Sequence, residues 1–350
     1  MNLKRVLSGK KDVFGLDIGS SSVKAIQLYR ENDGYRIVAA GCVKIEHEGS
    51  DDRIKDNNLV KAVRKCVKGA RLKTKYAVCG VCGQEVAARR FKFPILQKDE
   101  IANSVLFEAE QVCPFESGRY VVDYQVTDTV TNQNEKNHQT IGVLTAATPY
   151  AIGFKTQLAR SGSLKCVLMD VDGLALLNCL AACEKPKKGQ TTAILDIGSM
   201  YTNLAVLSSD GTPFVRDIPH GGDSMIEHIK NRFNLSSEVV QDILWNSGQK
   251  TKESRDLIEG ASSTLIADIS RTLNYIEIQE AEKVDKILIC GGLAYANGFV
   301  ELLKNKLKQE IALWNPLTNM RYGSGVPGID IIKNQGSSLA LAAGLAMRTI

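Results

Sequence analysis

Residues 13–28 read Val-Phe-Gly-Leu-Asp-Ile-Gly-Ser-Ser-Ser-Val-Lys-Ala-Ile-Gln-Leu. An apolar run reaches Asp17, a Gly-Ser turn follows, and a second apolar run leaves it, which is the pattern of a β-hairpin with a polar tip. Gly19 lets the backbone approach a ligand closely. The three serines that follow can hold an anion, and Asp17 can hold a metal ion directly or through water. Taken alone, the stretch is also consistent with an ordinary tight hairpin.

The same pattern returns in residues 194–207, Ile-Leu-Asp-Ile-Gly-Ser-Met-Tyr-Thr-Asn-Leu-Ala-Val-Leu. Both stretches contain Leu-Asp-Ile-Gly-Ser, and their aspartates, Asp17 and Asp196, are 179 residues apart, about one domain length. This spacing predicts two related domains rather than a solenoid, whose repeats are about 20–50 residues long. We expect the two hairpins to face each other and to hold a polyphosphate, with one carboxylate on each side of its cation.

The composition is that of a soluble globular protein with room for two domains: 350 residues, of which 44% are hydrophobic and 24% charged. No apolar run is long enough to span a bilayer, and residues 1–12 are basic but lack the apolar centre of a signal peptide. The nine cysteines lack the spacing of a disulfide framework and indicate reduced thiols in a cytoplasm. Cys79 and Cys82 lie in a strand-like apolar run, which favours buried thiols over redox or metal chemistry.

The net charge is +5, and basic residues are most dense between Lys61 and Lys75. A solvated helix face accounts for this density, and a weak contact with anionic lipid or nucleic acid is the alternative. The basic residues of the segment are Lys61, Arg64, Lys65, Lys68, Arg71, Lys73 and Lys75.

Strands followed by helices and further strands predict a layered α/β fold. Residues 94–148 differ, because an amphipathic helix ended by Pro114 precedes two strands separated by a polar turn. They predict a small α+β subdomain inserted in the first domain. Residues 184–190, Glu-Lys-Pro-Lys-Lys-Gly-Gln, predict a linker. The predicted units are a first domain over 1–185 with its insertion at about 92–148, a second domain over 190–336 with a helical subdomain at about 224–270, and a last helix over 337–350 that packs on the first domain.

Two glycine pairs stand at turns of the second domain. Gly221 and Gly222 begin a predicted helix, where free backbone amides bind phosphate. Gly291 and Gly292 follow a predicted strand and precede a helix predicted over 299–311. Either pair can also be an ordinary tight turn.

The order of these features resembles that of the actin-like ATPase superfamily: a hairpin at Asp17, a helix from Asp172, a hairpin at Asp196, and the two glycine pairs. The resemblance implies an α/β fold in which two duplicated domains surround a nucleotide cleft, with ATP and Mg²⁺ as cofactors. Asp172 would align a water molecule for slow hydrolysis, although relatives often have the longer Glu or Gln there. An Ala-Glu-x-x-Lys element of the family is replaced here, with Leu244 at the lysine position.

The resemblance also implies roles for individual residues. Asp17 and Asp196 would hold the metal ion, and Asp172 and Asp196 would serve catalysis. The residues implied to bind the nucleotide are Asp17, Gly19, Ser20, Ser21, Ser22, Lys24, Asp196, Gly198, Ser199, Thr202, Asn203, Gly221, Gly222, Gly291, Gly292 and Leu293.

Within the superfamily the sequence resembles the PilM-like proteins of type IV pilus assembly. The resemblance implies a cytoplasmic ATP-binding scaffold at the inner membrane, in pilus or related secretion assembly. A groove of its first domain would bind the cytoplasmic N-terminal peptide of a PilN-like membrane protein. It would touch the membrane only through that partner, would not bind nucleic acid and could self-associate. The stretches that carry the resemblance are 15–24, 108–115, 123–126, 171–178 and 291–298.

Two other functions were weighed. A sugar-kinase-like phosphotransferase needs a general base beside its acceptor, and His220, before Gly221, is the nearest candidate. An FtsA-like cell-division protein would end in an amphipathic membrane helix, whereas this sequence stops at Ile350, directly after Arg348. We therefore expect at most a slow ATPase.

Overall fold

Two five-stranded sheets form the frame of the molecule. A computed structural model describes residues 12–46, 52–116, 119–130, 139–184, 189–246, 252–279 and 282–348. The strands are β1 (Phe14–Ile18), β2 (Ser22–Glu31), β3 (Gly34–Lys44), β4 (Tyr76–Val81), β5 (Val86–Pro94), β6 (Val121–Val130), β7 (Gln139–Ala147), β8 (Lys165–Val171), β9 (Thr192–Ile197), β10 (Thr202–Leu207), β11 (Pro213–Ile218), β12 (Lys286–Cys290) and β13 (Glu310–Leu313). The sheets have the orders β3-β2-β1-β4-β8 and β11-β10-β9-β12-β13.

The two sheets repeat one topology. In each, three antiparallel strands are followed by two strands parallel to the first of them. The two hairpin turns are closed by equivalent bonds, from Gly19 N to Ser22 O (3.1 Å) and from Gly198 N to Tyr201 O (3.0 Å). The repeated sequence is therefore a repeated structure, and the predicted duplicated α/β architecture is confirmed.

Helices cover the outer faces of both sheets and fill the space between them. The described α-helices are α1 (Asp52–Gly69), α2 (Lys98–Val112), α3 (Pro149–Ser161), α4 (Asp172–Cys183), α5 (Gly222–Phe233), α6 (Ser237–Gln241), α7 (Lys252–Gln279), α8 (Phe299–Lys306), α9 (Ile329–Gln335) and α10 (Ala340–Ala346). Helices α1 and α3 cover the first sheet, and α5, α7 and α8 cover the second. Helices α4 and α10 pack against each other between the sheets. None of the described helices is both long and apolar enough to cross a membrane.

The block between β4 and α3 forms a separate small layer. Its strands make a third sheet of order β5-β7-β6, and α2 packs on one face of that sheet. Phe91, Val105, Ala109 and Leu144 are the centre of its own hydrophobic core. This arrangement is the α+β insertion that the sequence predicts in the first half of the chain.

The main differences from the predicted elements are near the end of the chain. The helix expected over 299–311 ends at Lys306, because residues 310–313 pair with β12 as a parallel strand. The helix expected over 337–348 begins as a 3-10 turn at Gly336–Leu339 and becomes α-helical from Ala340. Most of the predicted linker at 184–190, and residues 1–11, lie outside the described part of the chain.

Helix α10 approaches its neighbours too closely for ordinary side chains. An added Cβ at Gly344 would overlap the carbonyl oxygen of Ala175 in α4. An added Cβ at Gly15 in β1 would likewise overlap Ala342 O in α10. Both neighbours are backbone atoms of buried elements, so they cannot move aside as a flexible side chain would.

We expect Gly344→Ala to lower the free energy of unfolding by about 2 kcal/mol or more, because overpacking a rigid core forces backbone shifts. The matched control is Gly260→Ala in α7, where an added Cβ meets nothing within 4 Å. That change should be neutral or stabilise by up to about 1 kcal/mol through helix propensity. Urea unfolding followed by circular dichroism measures both. Equal midpoints for wild type and Gly344→Ala would show that α10 is not packed this tightly.

Candidate functional site

Three predicted carboxylates lie near the carboxyl ends of strands, two of them on the central strands of the two sheets. Asp17 lies near the end of β1, Asp196 near the end of β9, and Asp172 begins α4 directly after β8. The charge of Asp17 contributes to raising the pKa of both Asp172 and Asp196. The carboxylates from the two halves of the chain therefore share one electrostatic neighbourhood between the sheets.

Lys24 is the cation of this neighbourhood. The hairpin register places it directly opposite Asp17, and its Nζ donates to Asp17 Oδ2 at 2.9 Å. Burial alone would lower the pKa of Lys24, but the charges of Asp17 and Asp196 outweigh this effect and raise it. Lys24 therefore stays protonated at neutral pH.

The second hairpin has an amide at the equivalent position. Asn203 lies opposite Asp196 in the register, and its Nδ2 donates to Asp217 Oδ1 at 2.7 Å. Burial raises the pKa of Asp196 to about 6, with Lys24 opposing and Asp17 adding to the rise. The two hairpins thus share a backbone geometry but differ in charge.

Asp172 has the smallest exposed fraction of the three carboxylates. It is 6% exposed, and an added Cβ at Gly80 would overlap its Oδ1. That oxygen is buried without a hydrogen-bond partner among the described residues. Burial raises the pKa of Asp172 to about 8, and Lys155 opposes the rise while Asp17 adds to it. The carboxyl group is therefore largely protonated at neutral pH.

Two residues of the site were missed by the sequence analysis. Lys155 of α3 donates to the carbonyl oxygen of Ile18, at the base of the first hairpin turn. Asp217 of β11 accepts a bond from Gly83 N at 2.7 Å, which ties the first half of the chain to the second. Asn203 and Asp217 are paired residues of the antiparallel strands β10 and β11, and the strand pattern of this hairpin could have predicted their contact. Nothing in the sequence around Lys155 indicates its contact with Ile18.

Three expected phosphate donors, at Ser199, Thr202 and Gly222, are already used within the protein. The Thr202 hydroxyl donates to His220 O at 2.8 Å. The amides of Gly222 and Asp223 donate to Gly198 O and Ser199 O, both at 2.9 Å. This corrects the expectation of free donors at Thr202 and at the start of α5: the Gly221-Gly222 turn instead holds the second hairpin in place.

The remaining predicted residues take several positions around the cleft. Ser20, Ser21 and Ser199 are partly exposed at the hairpin tips. Gly291 has φ +90°, and an added Cβ would lie 2.5 Å from Asp196 Oδ1, so only glycine fits beside that carboxylate. Leu293 is buried in the turn Gly292–Tyr295.

Two other residues singled out in the sequence do not reach the cleft as free groups. Leu244 is fully buried in the core of the second sheet, so it cannot replace a lysine at a nucleotide. The Nδ1 of His220 lies 2.8 Å from Asp268 Oδ2, so this nitrogen contacts a carboxylate of α7.

This geometry suits a divalent cation that carries an anionic ligand. Asp17 and Asp196 offer carboxylate oxygens, which are the ligands that Mg²⁺ prefers. In the described part of the chain no group of three or more His, Cys, Asp or Glu side chains could hold a metal ion, so the cation would take its other ligands from the anion. The Ser199 hydroxyl donates to Asp223 Oδ1, which leaves Ser20 and Ser21 of the first hairpin tip to hold phosphate oxygens. Lys24 and Lys155 would balance the charge of such an anion.

The family model described as "Type IV pilus assembly protein PilM" matches residues 15–350. The chain belongs to the PilM family of type IV pilus assembly proteins. The match extends over both sheets and the insertion, so the resemblance stated from the hairpins and the inserted block is confirmed.

Solved structures show the same fold. The "PilM-PilN type IV pilus biogenesis complex" superposes with a TM-score of 0.82 at 23% identity and covers 97% of this chain and 98% of that chain. The ethanolamine utilization protein EutJ from Carboxydothermus hydrogenoformans superposes with a TM-score of 0.54 at 13% identity, covering 95% and 88%. A diol dehydratase-reactivating factor in nucleotide-free form gives 0.51 at 8% identity, covering 95% and 98%. The actin-like fold predicted for this PilM family member is confirmed.

We expect Asp172→Asn to flatten the pH dependence of stability. A carboxyl whose pKa is raised by folding binds its proton more tightly in the native state, so the native state loses stability as pH rises from about 4, the unfolded value, to about 8. Asn removes this loss, and the variant should gain most over wild type near pH 8. Urea unfolding at pH 5, 6, 7 and 8 measures the slope.

The control for this prediction is Asp33→Asn, at an exposed position on the turn between β2 and β3. It should keep the wild-type slope. If the Asp172→Asn slope equals that of wild type, the carboxyl group of Asp172 is ionised in the native protein throughout this range.

Proposed function

We propose that this protein is an ATP-binding scaffold of type IV pilus assembly that holds the cytoplasmic N-terminal peptide of a PilN-like inner-membrane protein. Family membership supports the role in pilus assembly. The partner follows from the relative whose structure is a PilM–PilN complex. In this reading the protein works on the cytoplasmic side of the inner membrane and reaches the membrane through that partner.

The observation that carries the nucleotide part is the approach of Asp17 and Asp196, near the ends of two equivalent strands, to the same lysine, Lys24. Asp17 and Asp196 would hold Mg²⁺, and the hairpin tips would hold the phosphates. Lys24 would add positive charge beside the phosphates. Gly291, Gly292 and Leu293 would flank the adenosine.

The peptide part rests on apolar residues exposed in the insertion. Leu106 and Phe107, adjacent on the outer side of α2, are 52% and 65% exposed. Ile95 and Val121 beside α2 in sequence are also exposed. Strand β6 is an edge of its sheet and can pair with an extended peptide. Apolar side chains on a partner peptide would cover these residues.

The insertion also contacts the second sheet, so peptide and nucleotide can influence each other. Strand β5 lies beside β11, and Arg90 Nη2 lies 3.6 Å from Asp210 Oδ2. A cavity of about 460 Å³ between these strands is lined by Ala88, Val143, Leu174 and Phe214, among others. A movement of the two sheets towards a nucleotide would change this contact directly.

We expect the double change Leu106→Ser with Phe107→Ser to weaken binding of a synthetic peptide, the N-terminal segment of the PilN-like partner, by at least about tenfold, since buried aromatic anchors dominate such interfaces. ATP affinity should stay unchanged. The control is Ile278→Ser in α7, 74% exposed and far from the insertion in sequence. Fluorescence anisotropy measures peptide binding, and equal affinities for both variants would place the peptide site elsewhere.

We expect Asp196→Ala to abolish Mg²⁺-dependent ATP binding, because it removes the carboxylate on the second sheet. Asp172→Ala should keep binding and lower any hydrolysis. Calorimetric titration with ATP, with and without Mg²⁺, tests the first variant, and Asp33→Ala serves as the exposed control. Unchanged Mg²⁺-dependent affinity in Asp196→Ala would contradict the assigned metal site.

The proposed function also limits the rate of turnover. Phosphate release by the pure protein should be far slower than about 10 per second, a typical enzyme rate. Turnover near that rate with a sugar present would instead support the phosphotransferase alternative.

A further inference from the structure

A basic surface lies at the end of the first sheet opposite the carboxylates. Its six exposed residues are Lys68 and Arg160 in the last turns of α1 and α3, Arg71, Lys73 and Lys75 in the loop before β4, and Lys165 at the start of β8. We call this surface the basic edge. It was noticed in the sequence as a dense basic segment, but neither nucleotide binding nor the insertion uses it.

Strand direction brings these residues together. Because β1, β4 and β8 are parallel, their starting ends lie along one edge of the sheet. Lys165 N donates to Lys75 O at 2.8 Å, and the Thr74 hydroxyl donates to Asp12 O at 2.8 Å. Asp17 and Asp172 lie at the other ends of the strands, so the basic edge faces away from the cleft.

The positive charge of the basic edge is not neutralised within the protein. Residues 61–75 contain no carboxylate, and within the described residues none of the six forms a salt bridge. Asp12 is exposed at the same edge, and Glu31 at the nearby turn between β2 and β3 is paired with Arg36 at 2.8 Å.

A structural role accounts for only part of this charge. Lys68 and Arg160 stand in last turns of helices, where cations are favourable because of the helix dipole. Arg71, Lys73, Lys75 and Lys165 lie outside helices and gain nothing from it. These four side chains are exposed and are therefore available to an external anionic partner.

We propose that the basic edge binds the surface of an anionic lipid bilayer. Clusters of four to eight Lys and Arg residues are what negatively charged headgroups attract. The edge is an outer rim of strand starts and helix ends rather than a groove. Tyr76 beside Lys75 is partly buried, and none of the described aromatic residues with an exposed side chain belongs to the edge, so it lacks the row of exposed rings used on single-stranded nucleic acid. This contact is independent of the proposed nucleotide and peptide sites and would add a second, direct attachment to the one made through a partner.

The test uses the full chain and vesicles of either pure phosphatidylcholine or phosphatidylcholine with 30% phosphatidylglycerol. The variant carries Lys73→Glu, Lys75→Glu and Lys165→Glu. The matched control carries Lys283→Glu, Lys304→Glu and Lys308→Glu, which are exposed lysines of the second half of the chain with the same change in net charge. Co-sedimentation at 50 mM and 300 mM salt measures binding, and thermal unfolding checks that all three proteins are folded.

We expect wild type and the control to bind the anionic vesicles at 50 mM salt and to lose binding at 300 mM, since salt screens such contacts. The variant should bind at least about tenfold more weakly, with its affinity for the partner peptide unchanged. If the variant and the control lose vesicle binding equally, the effect depends only on net charge and the proposal is overturned. Wild-type binding to duplex DNA that the variant loses, with no binding to anionic vesicles, would also overturn it, because the edge would then be a nucleic-acid surface.

Discussion

The ion pair of Lys24 with Asp17 makes the rest of the cleft possible. Carboxylates gathered in a poorly solvated space repel one another and lose hydration, a cost of several kcal/mol for each ion. Lys24 offsets this for the first sheet by direct contact and for the second by acting on Asp196. At Asp172 burial outweighs the opposing charge of Lys155, and the carboxyl group is protonated instead. The charge of the cleft is thus balanced by two lysines and by a proton on Asp172.

The sequence predicts the parts of this structure that are decided locally. Both hairpins lie where the apolar runs and Gly-Ser turns predict them, and α4 begins at Asp172 as expected. Residues of strand β13 were predicted as the end of a helix, because the four residues of this strand do not indicate its pairing with β12. The family resemblance supplied the fold and the nature of the site, which periodicity alone could not.

Side-chain bonds within the site were harder to predict, for a physical reason. A threonine or a helix-starting amide beside a glycine turn looks like a phosphate donor until its neighbours are known. The Thr202 hydroxyl and the Gly222 amide donate hydrogen bonds to carbonyl oxygens more than ten residues away in sequence. Lys155 joins the site from a helix about 140 residues after the hairpin that it supports. Such contacts depend on the packing of whole elements, and single-residue chemistry does not reveal them.

The packing of α10 has a consequence for how the protein is made. The helix fills the space between β1 and α4, yet more than 300 residues separate Gly15 from its neighbour Ala342. During synthesis the first sheet therefore leaves the ribosome with one face uncovered, and it waits for nearly the whole chain before that face is closed. At about 5–20 residues per second, this interval lasts for many seconds. The core on that face of the first sheet is therefore completed only when α10 has been made and has packed between β1 and α4.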